Sequence, residues 1–307
     1  MKKGKIFTNC LFSIWTLSVV LSFASCSADD DANLIIDEKV PLETEAPFSV
    51  ILKAYSENND ITAKGDVKSA TLYVFDENND FYNQITVDKD YLLQVKPVEI
   101  SCPGSDKITV VAWAGLSSES VEASSMNQAN IISDLQVSLK QNNGVANSLP
   151  GDLFYGQVVI TRSATKAAAQ TLKIERKVSS MSILAKGVLK VYDSKEGNYY
   201  YKIKRTKSSF NCNGELTGND IEYIIPATMQ DNGNLSTGTF SLLPAEEVAV
   251  ELYKDDVLIL SSQKLKNAEN VAVNEGEQTN IDFDLSRNNF SINVSDWGTV
   301  IQYVTVG

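Results

Sequence analysis

Val67-Lys68-Ser69-Ala70-Thr71-Leu72-Tyr73-Val74-Phe75-Asp76-Glu77-Asn78-Asn79-Asp80-Phe81 reads as a strand, an acidic turn and the start of the strand that returns. Ala70, Leu72 and Val74 fall on one face and Thr71, Tyr73 and Phe75 on the other, the period of two that extended backbone gives. The turn residues 76–80 have short polar side chains that bond their own backbone and tolerate left-handed conformations. Residues 81–87 alternate again, so the stretch predicts a β-hairpin. Asp76, Asn78 and Asp80 also imitate the opening of a calcium loop. That pattern needs Gly at its sixth position and Glu at its twelfth, where this chain has Phe81 and Val87. The turn reading therefore holds, and no metal site is assigned.

The same texture extends in both directions. Strands are expected at 48–55, 92–100, 107–114, which carries Trp113, 135–140 and 152–161, with room for one short helix in the Ser/Asn/Ala-rich 117–132. Residues 163–170 are small and Ala-rich and read as a seam between domains. Beyond it, strands are expected at 172–176, 178–185, 189–193 paired with 199–204, 221–225, 238–243, 248–253 paired with 257–261, 271–273, 278–285, 290–294 and 299–306. Short strands at near-regular spacing, polar turns and almost no helical periodicity predict an all-β protein of two sandwiches. The expected boundaries are 48–165 and 166–307.

Composition removes whole classes of function. The chain has no His, so Ser-His-Asp and Cys-His catalysis are excluded and the commonest metal ligand is missing. Its Asp and Glu sit largely in turns, and no pair is placed at glycosidase spacing. No catalytic residue or cofactor is assigned. The formal charge of −12 repels phosphate backbones and argues against nucleic acid as a partner.

The first residues have the order of a secretory signal: Lys2, Lys3 and Lys5, then an apolar run over 11–23, then Ala24 and Ser25 directly before Cys26. A Cys just after small residues points to lipoprotein processing, in which the thiol carries the acyl-glyceryl group and becomes the mature N-terminus. Two or more acyl chains hold a protein durably on a membrane. Cleavage after residue 25 would remove three Lys and no acid, changing 27 basic against 39 acidic residues to 24 against 39, or −15. Ser27, Asp29, Asp30 and Asp31 follow in a stretch that resembles the surface-export signal of Bacteroidota lipoproteins. Residues 26–47 then read as an acidic tether to the first strand. Of four Cys, Cys10 would leave with the signal. Cys102 and Cys212 are either small core residues or a disulfide, should the fold bring them within reach.

Six segments together resemble the fimbrillins of type V pili, and among them the FimB-type anchor subunits. They are Ala70-Thr-Leu-Tyr-Val-Phe-Asp76, Val110-Val-Ala-Trp-Ala114, Asp152-Leu-Phe-Tyr-Gly156, Ile174-Glu-Arg-Lys-Val-Ser179, Phe240-Ser-Leu-Leu-Pro244 and Ser295-Asp-Trp297. The resemblance implies two tandem transthyretin-like β-sandwich domains, no catalysis, and assembly with fimbrial stalk subunits by donor-strand exchange, a form of β-strand addition. In stalk subunits of that family a protease cuts after an Arg and releases the first strand. Here no Arg precedes Arg162, although Lys39, Lys53, Lys64 and Lys68 do. The expectation is therefore an uncut first strand and a subunit that ends the fibre at the outer membrane, lipid-anchored and exposed at the surface.

At the other end, 299–306 is β-branched and free of charge. It is read either as a donor strand, with Val300, Val304 and Val306 on one face and Ile301 and Tyr303 on the other, or as the last strand of its own domain. Two other roles stay open at this point: a stalk or tip subunit, and a glycan-binding surface lipoprotein using Tyr199, Tyr200 or Tyr201. Through the assembled fimbria, host or bacterial surface ligands are further expected partners.

Overall fold

The computed structural model describes residues 45–116, 119–163, 168–192, 195–264, 271–287 and 289–297. Cys26, Ser27, Asp29, Asp30, Asp31 and the 299–306 run lie outside them. The described chain is nearly all β, as its alternation requires, and its strands form three sheets.

The first sheet runs in the order Asn59–Asp60, Phe48–Ser56, Gln170–Arg176, Phe154–Thr161, Lys107–Ala114, Ser69–Phe75, Phe81–Asp88, with Val98–Ile100 beside the Phe48–Ser56 strand. The hairpin forms as expected, with Ser69 opposite Asp88 and Leu72 opposite Ile85. Asp76 closes its turn by accepting the amides of Asn78 at 2.8 Å and Asp80 at 3.0 Å. One face of the sheet, including Val50, Leu52, Ala70, Leu72, Val110 and Leu172, closes a core with Leu92 of a short helix, Lys89–Leu93. The other face sends Tyr73, Phe75, Val111 and Trp113 into a second, larger core. Lys107–Ala114 is therefore buried on both faces after its first residue. A strand covered on both sides reads as a continuous apolar run, not an alternating one.

The larger core lies between the remaining two sheets. One is built around Ala245–Lys254, Tyr199–Phe210 and Leu216–Pro226. The other runs Thr228–Met229, Leu235–Leu242, Ser179–Lys186, Glu277–Asp284, Asn289–Asp296. Tyr201 of the first and Phe283 of the second stack with ring centroids 6.5 Å apart.

Several local expectations change. Where a strand is expected from residue 189, Val188–Tyr192 is a helix, and Tyr199–Phe210 pairs instead with Leu216–Pro226 and Ala245–Lys254. The expected strand 92–100 divides into the helix Lys89–Leu93, capped where Asp88 accepts the Tyr91 amide, and the strand Val98–Ile100. Among the described residues of 117–132 the chain forms the strand Val121–Ala123, and the short helix comes only at the far edge, as the single 3-10 turn Ile132–Asp134.

Sheet membership does not change at residue 165. Gln170–Arg176, beyond that point, pairs in parallel with the first strand. Before it, Val137–Leu139 pairs with Tyr199–Phe210, and Val145 with Glu222. The two halves of the sequence are thus interleaved by strand exchange within one chain. Cys102 is buried, Cys212 half-buried, and both are free thiols.

Candidate functional site

The strand Phe48–Ser56 is an interior member of its sheet. Val50 to Tyr55 align in parallel with Gln170 to Glu175 on one flank. On the other, Phe48 to Val50 pair with Val98–Ile100, and Tyr55 and Ser56 with Asn59–Asp60. Phe48, Val50, Leu52, Ala54 and Ser56 are buried in strict alternation. Taking this strand out would open a groove through the first core and leave its neighbours' backbone groups unpaired.

At its entrance sits Arg162, just past the end of Phe154–Thr161. Its guanidinium donates to the carbonyl of Ala46, to that of Cys102 at 2.7 Å and to that of Ser105 at 2.9 and 3.0 Å. It also lies 3.0 Å from the Glu45 carboxylate and 4.5 Å from the centre of the Phe48 ring. Glu45 in turn accepts the Gly104 amide at 2.9 Å. A planar fork with five fixed donors suits such a site, where an ammonium would reach fewer carbonyls.

At the far end sits Arg176, whose side chain is 4% exposed. It binds Asp152 through two parallel bonds of 2.7 and 2.8 Å and donates to the Ser56 hydroxyl at 2.7 Å. Its guanidinium lies 5.1 Å from the centre of the Phe154 ring and 4.4 Å from that of Trp297. The Trp297 amide approaches the Glu57 carboxylate at 3.4 Å. Glu57 and Asn58, both at positive φ, form the two-residue turn out of the first strand. The exit of the first strand and the end of Asn289–Asp296 therefore meet on one cation.

Beside this junction Trp113 is fully buried, with its ring 5.0 Å from Tyr155 and 5.5 Å from Phe210. The Tyr155 hydroxyl donates to the Cys212 carbonyl at 2.9 Å; burial pushes its pKa above the usual range, with Cys212 and Glu215 adding to the shift. Four of the six quoted segments thus supply Trp113, Asp152, Tyr155, Arg176 and Trp297 to one place. Sequence alone singled out both Trp but missed Arg176 and Arg162 as structural centres. The available signal was that Arg176 lies inside a quoted segment and that the chain has only four Arg.

The tyrosine run behaves as alternation predicts. Tyr199 and Tyr201 are buried. Tyr200 is half-exposed, stacked on Tyr253 at 5.3 Å with ring planes 3° apart, and its hydroxyl donates to Asp256.

A family model described as fimbrillin-A associated anchor proteins Mfa1 and Mfa2 matches residues 40–303. The chain is 25% identical over 307 residues to the major fimbrium anchoring subunit FimB of Porphyromonas gingivalis (strain ATCC BAA-308 / W83), covering 95% of this chain and 97% of that one. Among solved structures, the fimbrial anchor protein Mfa2 from Porphyromonas gingivalis superposes with a TM-score of 0.58 at 14% identity, over 82% of this chain and 98% of that one. A DUF1812 structure from Bacteroides thetaiotaomicron VPI-5482, described as a candidate for polysaccharide binding, gives 0.65 at 17% identity, over 82% and 98%.

Proposed function

The chain belongs to the family of fimbrillin-A associated anchor proteins Mfa1 and Mfa2, and from that premise we propose that it is the cell-surface subunit that fastens a fimbria to the outer membrane and ends its growth. In this reading Cys26 carries the lipid, and Ser27, Asp29, Asp30 and Asp31 direct export to the surface. The 299–306 run is the strand donated to the adjoining pilin, through Val300, Ile301, Tyr303, Val304 and Val306. The role is structural and needs no catalysis or cofactor.

One observation carries the reading: the first strand is interior to its sheet and held at both ends by buried or half-buried arginines, so its release would break both sets of contacts. A groove already filled by its own chain accepts no further subunit, and an uncut N-terminus keeps its lipid. The pair of sandwich domains expected at 48–165 and 166–307 is kept in this proposal as two sandwiches that trade strands across that boundary, Gln170–Arg176 completing the first sheet and Val137–Leu139 joining the sheet of Tyr199–Phe210.

A stalk or tip role is the main rival, because it would need the mature protein to begin downstream of residue 39. Mass spectrometry of the native N-terminus separates the two: an acylated Cys26 supports the anchor, and an unacylated start within 40–69 overturns it. A Cys26→Ala strain should shed its fimbriae or carry abnormally long ones. Glycan binding at 199–201 is the weaker alternative, since two of its three rings lie in the core.

A further inference from the structure

The first and last described residues, Glu45 and Trp297, lie at opposite ends of one strand. At one end Glu45 and Ala46 are held by Arg162. At the other, Trp297 packs on Arg176 beside Ser56 and Glu57. The nine residues of Phe48–Ser56, at about 3.3 Å each, separate these ends by roughly 30 Å.

We propose that Phe48–Ser56 is the mechanical clamp of this protein, loaded in shear between tether and fibre and latched at its entrance by Arg162. The inference rests on the anchor reading, which puts the membrane at the N-terminal side and the fibre at the C-terminal side. A pull between those sides runs along the strand. Its parallel ladder to Gln170–Arg176 and its antiparallel pairing to Val98–Ile100 must then slide together. Pulled from the side, the same bonds would open one after another.

The latch meets the first motion of that slide. Drawing Glu45 to Phe48 outward strips the Ala46 carbonyl, the Glu45 carboxylate and the Phe48 ring from the guanidinium of a side chain that is 15% exposed. A cation so enclosed gains little water in exchange. Arg176 holds the Ser56 end, where the strand enters its two-residue turn.

Constant-force tweezers on the isolated full chain test this. One set of handles sits at the two termini; a second sits at Asn78, in the hairpin turn, and at the C-terminus, so that load bypasses the first strand. Forced unfolding reports the unfolding rate directly. With terminal handles, Arg162→Met should raise that rate about tenfold, the factor of one lost charge-assisted hydrogen bond. Arg162→Lys should fall between it and the unmodified chain, and the Asn78 geometry should show little change for either. An equal rise in both geometries, or no rise with terminal handles, overturns the clamp. Should Arg162→Met fail to fold, Glu45→Gln gives the same comparison at a more exposed side chain. Attachment of fimbriae in a Cys26→Ala strain is scored separately, so the anchor reading and the clamp fail independently.

Discussion

The guanidinium of Arg176 stands 4.4 Å from the centre of the Trp297 ring, bringing the last described residue of the chain onto the strand that completes the first sheet. The same guanidinium is fixed in orientation by Asp152 and reaches Ser56. Packing on Trp297 is favourable because a delocalised, weakly hydrated cation can give its face to a ring while its edge keeps every hydrogen bond.

Arg176→Met keeps the length and removes the fork. It leaves Asp152 without its partner and the Ser56 hydroxyl without its donor. Breaking a largely buried pair from one side costs about 3 kcal/mol, and Asp152, at 30% exposure, recovers some of that through water. Chemical denaturation should therefore show a loss of about 2–3 kcal/mol. Asp152→Asn should cost less, since the amide oxygen still accepts one bond. A loss below that of Asp152→Asn would mean that Arg176 is not the centre of the junction.

Trp113 tests the packing beside it. Its ring fills the space between Tyr155 and Phe210 and is fully buried. Trp113→Ala should cost about 3–5 kcal/mol through lost burial and the cavity left behind. Trp113→Phe should cost clearly less, because the indole Nε1 has no hydrogen-bond partner among the described residues and its loss removes an unmet donor. Equilibrium unfolding of both variants checks the order; a Phe variant as weak as the Ala one would contradict it.

The hairpin, the tyrosine alternation and the all-β class were legible because each depends on neighbours within a few residues. The period of two across 67–87 needs only the local backbone, and so does the acidic turn that Asp76 closes. What was not legible depends on partners far apart in the chain. Nothing near Phe48–Ser56 announces a parallel neighbour at Gln170–Arg176, and nothing near Arg176 points to Ser56 or Trp297. The helix Val188–Tyr192 reads as a strand because Val188, Val191 and Tyr192 suit one by propensity. Tertiary packing decided otherwise: Val188 is buried in the larger core, and the Tyr192 hydroxyl bonds the Ile259 carbonyl.

Gly156 sits where the Phe154–Thr161 strand parts from Gln170–Arg176 after two paired positions, Phe154 with Arg176 and Tyr155 with Glu175. A Cβ at Gly156 would lie 2.0 Å from the Lys173 carbonyl oxygen. The obstacle is backbone, so no side chain can swing aside to relieve it. Gly156→Ala should destabilise by about 2–3 kcal/mol, as overpacking against a fixed neighbour does. Amide exchange should rise first along Gln170–Arg176 and the adjoining first strand. Neutral behaviour of Gly156→Ala would mean that this crossing is looser than its geometry requires.

The outward face of the second sheet carries a pair whose titration gives stability a pH dependence. Glu251 lies 2.7 Å from the Lys204 ammonium and accepts the Tyr253 hydroxyl at 2.8 Å. Burial alone would raise the carboxyl's pKa; the hydrogen bonds from Lys204 and Tyr253, with the charges of Lys204 and Lys202, outweigh it and hold the pKa below its ordinary 4.5. The hydrogen bond to Glu251 likewise lifts Lys204 above its ordinary 10.5. Because the folded carboxyl binds its proton less readily than the unfolded one, its contribution is complete above about pH 4.5. It is lost as pH falls through the lower, folded value. The lysine contribution is complete below its ordinary value and lost as pH rises through the higher, folded one. Glu251→Gln should therefore be less stable than the unmodified chain at pH 7, with the difference narrowing as the solution is taken below pH 4. Denaturant midpoints measured from pH 3 to pH 8 check this, and a difference that stays constant across that range would show that Glu251 does not contribute through its charge.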